Sequence, residues 1–401
     1  MNSKNKKIIK ERMFTMNLKN KKIFSRIAAG VMTVAMAITL LPGTMKTVNA
    51  AESVTSASLD VILYKRAEVY APNTTFEFEV ANLTADKAKK TNSGNDFVPQ
   101  FKDAPAGAVT LKAITLKPKD GVDGDLGKTS IKNSITFDLT TTEFTAIGTY
   151  RYTVKQKNSN YEGIKYDEDV RYLDVTVARD EKDDSFYIAS ANLILPTEDG
   201  LVKGGVFVNT YGVKKPDPTT PADQKTPPKY PENPNTEPDG TVNDLVISKN
   251  VTGNYGEKDK DFEFQITISG ADGEYYNLDG TQKIEKNTPV TIKLRHGQNM
   301  KICGLSKTDT YTITEKDATD YDTTFETKVN GTNKAGGSEN IKTATGTIDA
   351  ETSLQTQEVA FTNNRVGSAT GFVLSYGPYA LMVVLAGAVA FVLFRKRRAE
   401  Y

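Results

Sequence analysis

Apolar and polar residues alternate along much of this 401-residue chain. The runs Thr75–Val80, Leu173–Val177 and Tyr311–Thr314 each place apolar side chains at every second position. That period of two is typical of a strand with one buried face and one solvated face. Clusters of Gly, Asn and Asp separate such runs, and no long segment has a convincing helical period. The pattern predicts an all-β fold of antiparallel β-sandwiches.

Two continuous apolar runs depart from this alternation, one near each end of the chain. Residues 372–394 are long enough to cross a bilayer as a helix, and the basic tail 395–401 would stay on the cytoplasmic side. Near the start, a lysine-rich stretch precedes the shorter run Ile27–Leu41, and small residues up to Ala50 offer a cleavage site. We expect residues 1–50 to be a signal peptide, and the mature chain to be held at the cell surface by a C-terminal transmembrane helix.

A proline-rich stretch divides the exported region. Residues 213–240 carry eight of the chain's 16 prolines and almost no apolar residues, so this segment cannot bury a core. We expect it to be an extended, semi-rigid spacer. Two β-sandwich domains result, residues 52–212 and residues 241–366.

Composition excludes several functions. The 51 basic and 50 acidic residues are unevenly placed, because both ends are basic and the exported region is acidic, which argues against a nucleic-acid partner. Cys303 is the single cysteine, so no disulfide can form within the chain. His296 is the single histidine and lies in a solvated turn, which excludes a metal cluster and a histidine-dependent catalytic triad. No cofactor is expected.

Three short motifs occur in both domains and in the same order. Each domain has an apolar strand ending in lysine, then a strand ending in Gln or Glu, and finally a strand ending in asparagine. The pairs are Asp60–Lys65 with Asp244–Lys249, Tyr152–Gln156 with Tyr311–Glu315, and Val206–Asn209 with Ala360–Asn363.

Lysine, glutamate and asparagine in this order can form a covalent bond between side chains. Burial disfavours the charged form of lysine, and the neutral amine can attack the carboxamide carbon of asparagine. A buried, protonated glutamic acid can polarise the amide oxygen and move protons while ammonia leaves. The product is an amide that would tie the first strand of a domain to its last.

At this point the sequence resembles the streptococcal major pilin family, whose isopeptide-linkage domains are related to the B-type repeats of collagen adhesins. The resemblance covers the exported region and the anchor. The motifs that carry it are Leu245–Gly253, Lys260–Phe264, Tyr311–Glu315, Phe361–Asn363 and Gly377–Leu381.

The resemblance implies two immunoglobulin-like (CnaB-type) antiparallel β-sandwiches. It also implies a Lys249–Asn363 isopeptide bond in the second domain, with Glu315 as the proton shuttle. In the first domain the matching pair is Lys65 and Asn209. There Gln156 holds the catalytic position, and an amide cannot exchange a proton as a carboxylic acid does, so this bond is left open unless another carboxylate points in.

The family's subunits are joined by a sortase, which implies further roles at the C-terminus. In residues 367–371, Thr370 and Gly371 match the sorting signal, although the usual proline is missing. Lys203 resembles the lysine that accepts the next subunit. The implied partners are a sortase, other pilin subunits, peptidoglycan and, through residues 372–394, the membrane. A sortase of altered specificity is one alternative, and retention in the membrane is the other.

Two functional classes remain open on the sequence alone. The first is a structural pilin subunit with self-formed crosslinks. The second is a monomeric wall- or membrane-anchored adhesin that binds a host or other extracellular ligand, for which the strand-poor insert Lys87–Gly127 offers a surface, unless that insert is only an irregular solvated excursion. Enzymatic action on external substrates is not expected, because the only catalytic set acts once, on its own chain.

Overall fold

Twenty-four strands and few helical residues make up the part of the chain that the structure describes, which confirms the all-β prediction. The structure is a computed structural model. It describes residues 52–92, 98–116, 126–197, 200–219, 227–272, 275–280, 282–337, 340–348, 354–367 and 378–391.

The first sandwich contains a helix, α1 (Ala85–Lys90), and a 3-10 turn (Thr141–Glu143) besides its strands. Its strands are β1 (Ser56–Lys65), β2 (Thr74–Phe76), β3 (Phe78–Asn82), β4 (Phe101–Lys102), β5 (Val109–Leu111), β6 (Ile114–Leu116), β7 (Ser130–Leu139), β8 (Gly148–Gln156), β9 (Ile164–Lys165), β10 (Arg171–Arg179), β11 (Phe186–Thr197), β12 (Gly200–Lys203) and β13 (Val206–Tyr211). One sheet has the order β5-β7-β1-β13-β9, and the facing sheet has the order β12-β11-β10-β8-β3.

The second sandwich consists of β14 (Val242–Thr252), β15 (Phe262–Ser269), β16 (Tyr275–Leu278), β17 (Gln282–Glu285), β18 (Val290–Leu294), β19 (Asn299–Ser306), β20 (Thr310–Glu315), β21 (Asp322–Val329), β22 (Thr332–Gly337), β23 (Thr343–Thr347) and β24 (Thr356–Asn364). Its sheets have the orders β17-β16-β19-β14-β24-β21-β22 and β18-β15-β20-β23. In both sandwiches the first strand pairs in parallel with the last, so β1 lies beside β13 and β14 lies beside β24.

The alternating pattern of the sequence becomes the core of each sandwich. On β15, for example, Phe262, Phe264, Ile266 and Ile268 are all buried, and the residues between them are partly exposed. Burial of such side chains stabilises a fold by about 25 cal/mol for each Å² of apolar surface removed from water. Each sandwich has its own apolar core between its two sheets.

The two sandwiches also contact each other directly. The guanidinium of Arg66, just after β1, lies 2.8 and 3.0 Å from the two carboxylate oxygens of Asp244 on β14, and both side chains are buried. The side-chain amide of Asn277 donates a hydrogen bond to the backbone carbonyl of Glu68 at 2.8 Å. Val242 packs into the apolar core of the first sandwich. The junction is thus built from side chains of both domains.

The proline-rich segment 213–240 does not extend between the domains, so the prediction of an extended spacer is wrong. Val213 forms a β-bridge with Pro238, and the amide of Asp239 donates to the carbonyl of Gly212 at 3.2 Å. The segment therefore leaves the first domain, turns back and returns to the point where it started. We call residues 213–238 the strap, of which 213–219 and 227–238 are described.

The strap doubles back because the first sandwich has an apolar outer face. Ile62, Tyr64 and Val208 lie on the side of β1 and β13 opposite the core, where they pack against Val213 and Tyr230 of the strap. A strand with apolar residues on both faces needs cover on both faces. The unbroken apolar run in β1 is the sequence signal for this second layer.

The insert Lys87–Gly127, expected to be poor in strands, is partly built into the first sandwich. Its described residues include β4, β5 and β6, and α1 begins just before it. The buried guanidinium of Arg151 on β8 pairs with Asp174 at 2.6 and 2.7 Å and donates to the hydroxyl of Thr91 at 2.9 Å. Arg151 thereby fixes the end of α1 to the sheet.

The predicted targeting segments lie mostly outside the described residues, and they remain predictions. This applies to the signal peptide 1–50, to Thr370 and Gly371, and to the tail 395–401. Within the predicted span 372–394, residues 378–391 are helical. No helix in the described part of the chain has both the length and the apolar character that crossing a bilayer requires.

Candidate functional site

Lys249 and Asn363 lie on adjacent parallel strands of the second sandwich and face the same side. Lys249 on β14 is the register partner of Phe361 on β24, and Asn363 is two residues further along β24. Residues two apart on a strand project from the same face, so both polar side chains point into the core with Phe361. Such diagonal neighbours are within reach of a long side chain.

Glu315 comes from the opposite sheet and meets both residues. It is the last residue of β20, and its Oε1 lies 2.9 Å from Nζ of Lys249. The same oxygen accepts a hydrogen bond from Nδ2 of Asn363 at 2.7 Å. The three residues are 2%, 1% and 0% exposed for Lys249, Glu315 and Asn363. One carboxylate oxygen therefore contacts two nitrogen atoms, deep in an apolar core.

The surroundings of Lys249 disfavour its positive charge. Burial lowers the pKa of Lys249 from 10.5 to about 8, and the nearby Glu315 offsets only part of that effect. Phe262 and Phe264 flank the amine, with Nζ lying 4.5 and 5.8 Å from their ring centres. A lysine with such a pKa is partly neutral near pH 8, and the neutral amine is the nucleophilic form.

Several polar atoms of this cluster lack hydrogen-bond partners. Nζ of Lys249 approaches Glu315 at an ion-pair distance, but the contact is not aligned as a hydrogen bond. Oε2 of Glu315 and Oδ1 of Asn363 are also buried without a partner. Unpaired buried polar atoms destabilise a folded chain, so a cluster of three needs an explanation beyond packing.

The contacts suit one specific reaction. Nζ of Lys249 can attack Cγ of Asn363, forming the Nζ–Cγ bond while the Cγ–Nδ2 bond breaks and Nδ2 leaves as ammonia. The attacking nitrogen loses a proton, and the leaving nitrogen gains one. Because Oε1 of Glu315 touches both nitrogens, it can accept the first proton and deliver the second.

The lowered pKa of Lys249 predicts a pH-dependent stability when the bond cannot form. In an Asn363→Ala variant, the folded state binds a proton on Lys249 less readily than the unfolded state, so the charged lysine destabilises the fold at neutral pH. That loss disappears as the pH rises from about 8 to the ordinary value of 10.5. We expect the free energy of unfolding to rise by roughly 3 kcal/mol over this interval.

A matched variant isolates the contribution of Lys249, since tyrosines also titrate in this range. Denaturant unfolding of Asn363→Ala is compared at each pH with that of Lys249→Met/Asn363→Ala. The difference in unfolding free energy between the two variants should show the rise. A difference that does not change with pH would contradict a desolvated Lys249.

The first sandwich has the same aromatic frame, but its lysine is elsewhere. The ring centres of Phe78 and Phe207 lie 5.1 Å apart, and those of Phe264 and Phe361 lie 5.2 Å apart. Gln156 is the register partner of Phe78, as Glu315 is of Phe264. The register partner of Phe207 is Val61, however, whereas that of Phe361 is Lys249. Val61 therefore occupies the place that corresponds to Lys249, and Lys65 lies four residues beyond it.

The structure does not bring Lys65, Gln156 and Asn209 together. Nζ of Lys65 donates to the backbone carbonyls of Val69, Lys128 and Arg66 at 2.6, 3.0 and 3.2 Å, at the end of the sandwich that faces the second domain. Carbonyls that accept from an ammonium favour its charged form. The Lys65 side chain is thus anchored by backbone carbonyls.

No hydrogen bond joins the side chains of Asn209 and Gln156. Oδ1 of Asn209 accepts from the amide of Asp167 at 3.1 Å, and no carboxylate oxygen in the described part of the chain hydrogen-bonds its side chain. Both polar atoms of the Gln156 side chain are buried without a hydrogen-bond partner. Among the residues that the structure describes, no catalytic set like that of Lys249, Glu315 and Asn363 is therefore assembled around Asn209.

Several residues of the second site were not recognised in the sequence. Phe262 and Phe264 belong to one of the family motifs, but the alternation of their strand does not show that their rings lie beside the Lys249 amine. His296 lies in a turn as predicted and is half-buried, and its Nδ1 accepts a hydrogen bond from the amide of Val251 at 3.0 Å, two residues after Lys249. Sequence spacing gives no signal for a hydrogen bond between a residue in a turn and the backbone of a strand far away along the chain.

Lys203 is exposed at the end of β12, an edge strand of the first sandwich. It borders a groove of about 440 Å³ between β1 and the β11–β12 pair. Residues from both sheets line it, namely Ala57, Ser58, Leu59, Asp60, Ala191, Asn192, Leu193, Lys203, Gly204 and Gly205. The Lys203 side chain is therefore accessible to solvent beside this groove. Thr370 and Gly371 lie outside the described residues.

Comparisons with known families match the two sandwiches separately. Residues 55–212 match the family described as Spy0128-like isopeptide containing domain. Residues 243–365 match a domain of unknown function (DUF7601). The lysine, glutamate and asparagine thus meet in the domain whose family has no assigned function.

Comparisons with individual proteins and solved structures find similarity to pilus proteins. The chain is 24% identical over 370 residues to a pilin of Streptococcus pyogenes serotype M1, covering 88% of this chain and 92% of that protein. It is 34% identical over 97 residues to the pilus tip adhesin Cpa of Streptococcus pyogenes, covering 23% of this chain and 14% of the adhesin. The solved structure of a Streptococcus pyogenes major pilin (T3.2) is similar in fold, with a TM-score of 0.50, 21% identity, and coverage of 79% of this chain and 100% of that one.

Proposed function

We propose that this chain, which belongs to the streptococcal-type pilin family, is a covalently reinforced subunit of a surface pilus. Its relatives are structural proteins of the cell surface, and the chain is a structural protein and not an enzyme. The observation that carries the proposal is the contact of one buried Glu315 oxygen with both Lys249 and Asn363. A bond between the first and last strands of a domain suits a subunit that carries load.

In the second domain, Lys249 and Asn363 form an isopeptide bond with Glu315 as proton shuttle. The bond joins β14 to β24, the strand that leads to the C-terminal anchor. Tension arriving from the anchor then passes directly into β14 through covalent bonds. The hydrogen bonds between neighbouring strands of the domain are relieved of this load.

In the first domain no such bond forms. Val61 stands at the position of the nucleophile, Gln156 stands at the position of the acid, and Lys65 is held by backbone carbonyls. The similarity of this domain to an isopeptide-containing family then reflects its fold and its aromatic frame. The strap, which crosses the outer face of β1 and β13, supports these two strands without a covalent link.

Subunits are joined head to tail by a sortase. The enzyme cleaves the sorting signal between Thr370 and Gly371 and transfers the threonine carbonyl to a lysine of the next subunit. Lys203 is the proposed acceptor, because it is exposed on an edge strand beside a groove. The final subunit is transferred to peptidoglycan or remains in the membrane through residues 372–394.

The polymer is tested on cells that produce the chain. Wall extracts are boiled in detergent and probed with antibody against residues 52–212. We expect a regular ladder of high-mass bands in the native strain and its loss with Lys203→Ala. Lys182→Ala, which removes another exposed lysine of the same domain, should leave the ladder intact.

The other outcomes of this blot separate the two functional classes. A single band near monomer mass would overturn the pilus proposal and favour a solitary anchored adhesin. A ladder that persists in Lys203→Ala would keep the polymer but reject Lys203 as its acceptor. Whether the Lys249–Asn363 bond has formed is measured separately, by the mass of the denatured chain.

A further inference from the structure

The strap lies in series between the two domains. The covalent chain leaves the first domain at Gly212 and enters the second at Thr241, so a load that enters one domain and leaves through the other must cross residues 213–238 or the junction beside them. In the folded chain the two ends of the strap are neighbours, because Val213 bridges Pro238. The strap therefore stores chain length that the docked domains do not use.

The neck of the strap is held by a short set of backbone contacts and by Val213, which is buried against Tyr64 and Val208. The amide of Lys214 donates to the carbonyl of Glu237 at 2.7 Å, and the amide of Asp239 donates to the carbonyl of Gly212 at 3.2 Å. An exposed ion pair joins Nζ of Lys214 to Glu237 at 2.7 Å. Pulling Gly212 away from Asp239 loads these bonds one after another, as in the opening of a hairpin from its base.

The body of the strap is attached to the first sandwich at separate points. The hydroxyl of Tyr64 donates to the carbonyl of Pro231 at 2.7 Å, and the hydroxyl of Ser130 donates to the carbonyl of Glu232. Pro227 packs beside Gly204, where an added Cβ would lie 3.2 Å from the proline ring. These are local contacts, in contrast to the continuous ladder of β14 with β24, which extends from the pair Asp244–Thr356 to the pair Thr252–Asn364.

The junction protects the strap while the domains stay docked. The ion pair of Arg66 with Asp244, the hydrogen bond of Asn277 to Glu68, and the hydrogen bond of Thr241 to the carbonyl of Gly163 all span the two domains. These side-chain contacts carry load in parallel with the strap. They must open before the ends of the strap can separate.

We propose that the strap is a force-released extension element. Under tension the junction opens first, the neck unzips, and the strap peels from the outer face of β1 and β13 while both sandwiches remain folded. The 26 residues from Val213 to Pro238 would then add roughly 85–95 Å of contour length. This inference rests on the proposed function only in that the chain must be held at its C-terminus and loaded on its first domain.

Single-molecule pulling of the full chain in detergent tests the proposal. One handle is attached at residue 203, through an azide-bearing residue in place of Lys203, and the other at the C-terminus. We expect the first event to add roughly 85–95 Å of contour length, before either domain unfolds. A first event with the length of a whole domain would contradict the proposal.

A neck disulfide supplies the matched control. Val213→Cys/Pro238→Cys places two cysteines on bridge partners, whose spacing suits a disulfide. The oxidised variant should lose the extension step, and reduction of the same molecules should restore it. Persistence of the step after oxidation would assign the added length to another segment. Cys303 is buried and need not be replaced.

A second variant tests the contact of the strap with the sheet. Tyr64→Phe removes the hydrogen bond to Pro231 and should lower the force of the step without changing its length. An unchanged force would exclude this contact as a point of attachment. A chain that shows the step but forms no ladder on cells would retain the extension element and lose the pilus assignment.

Discussion

The intact exported chain will weigh less than its sequence mass by one ammonia, and Glu315→Ala will restore the full mass. The physical reason is that Glu315 contacts both the attacking and the leaving nitrogen in the apolar core of the second domain. Without it the proton of Lys249 has no acceptor, and Nδ2 of Asn363 leaves as a poor amide anion instead of ammonia. Mass spectrometry of the denatured chain measures this difference.

The same variant will lose much of its stability. The bond between Lys249 and Asn363 closes a loop of more than a hundred residues, which corresponds to about 4.7 kcal/mol of unfolding free energy by analogy with a disulfide. For a domain of this size the melting temperature should fall by roughly 20 °C. Glu315→Ala should fall further than Asn363→Ala, because it also leaves the Lys249 amine buried without its partner.

The control is the corresponding position of the first domain. Gln156→Ala should leave the mass deficit of one ammonia unchanged, because Gln156 is not part of an assembled set. A native chain of full sequence mass would reject the bond in the second domain. A deficit of two ammonias would show that the first domain also forms a bond, against its strand register.

Introducing two residues into the first domain will create a second bond. In a Val61→Lys/Gln156→Glu variant, the new lysine stands opposite Phe207 and the new acid opposite Phe78, which reproduces the arrangement around Phe361 and Phe264. Asn209 already occupies the third position. We expect the mass deficit to increase from one ammonia to two. The free energy of unfolding of the first domain should be about 5 kcal/mol higher than in the same variant with Asn209→Ala added, which cannot form the bond.

Single substitutions test whether the lysine introduced at position 61 forms the new bond or whether Lys65 does so once a glutamate is present. Gln156→Glu alone should keep a deficit of one ammonia, because Lys65 remains held by the carbonyls of Val69 and Lys128. If that single variant reached two, Lys65 would be the true nucleophile and the assignment of Val61 would be wrong. Adding Asn209→Ala to the double variant should abolish the new bond. Val61→Met tests separately whether the core accepts a longer side chain.

The second site was largely predictable because its residues keep the motif order of the family. Lys249, Glu315 and Asn363 each lie towards the C-terminal end of a strand, and the structure brings all three together. The first site was not predictable by the same route. Matching Lys65 to Lys249 relied on position along β1, whereas the site depends on which residue of β1 lies opposite Phe207.

The all-β class and the division into two sandwiches follow from the sequence by itself, because an alternation of period two can bury only one face of a sheet. Residues 1–50 and 372–394 likewise predict export and anchoring through their apolar runs alone, although those segments remain predictions.

Strand register was decided only by the tertiary structure. A slip of four residues along a strand leaves every side chain on the same face, so the alternation reads identically whether Val61 or Lys65 stands opposite Phe207. The strap was decided in the same way. Its polar, proline-rich sequence resembles a spacer, and only the apolar outer face formed when β1 pairs with β13 gives its few apolar residues a surface to cover.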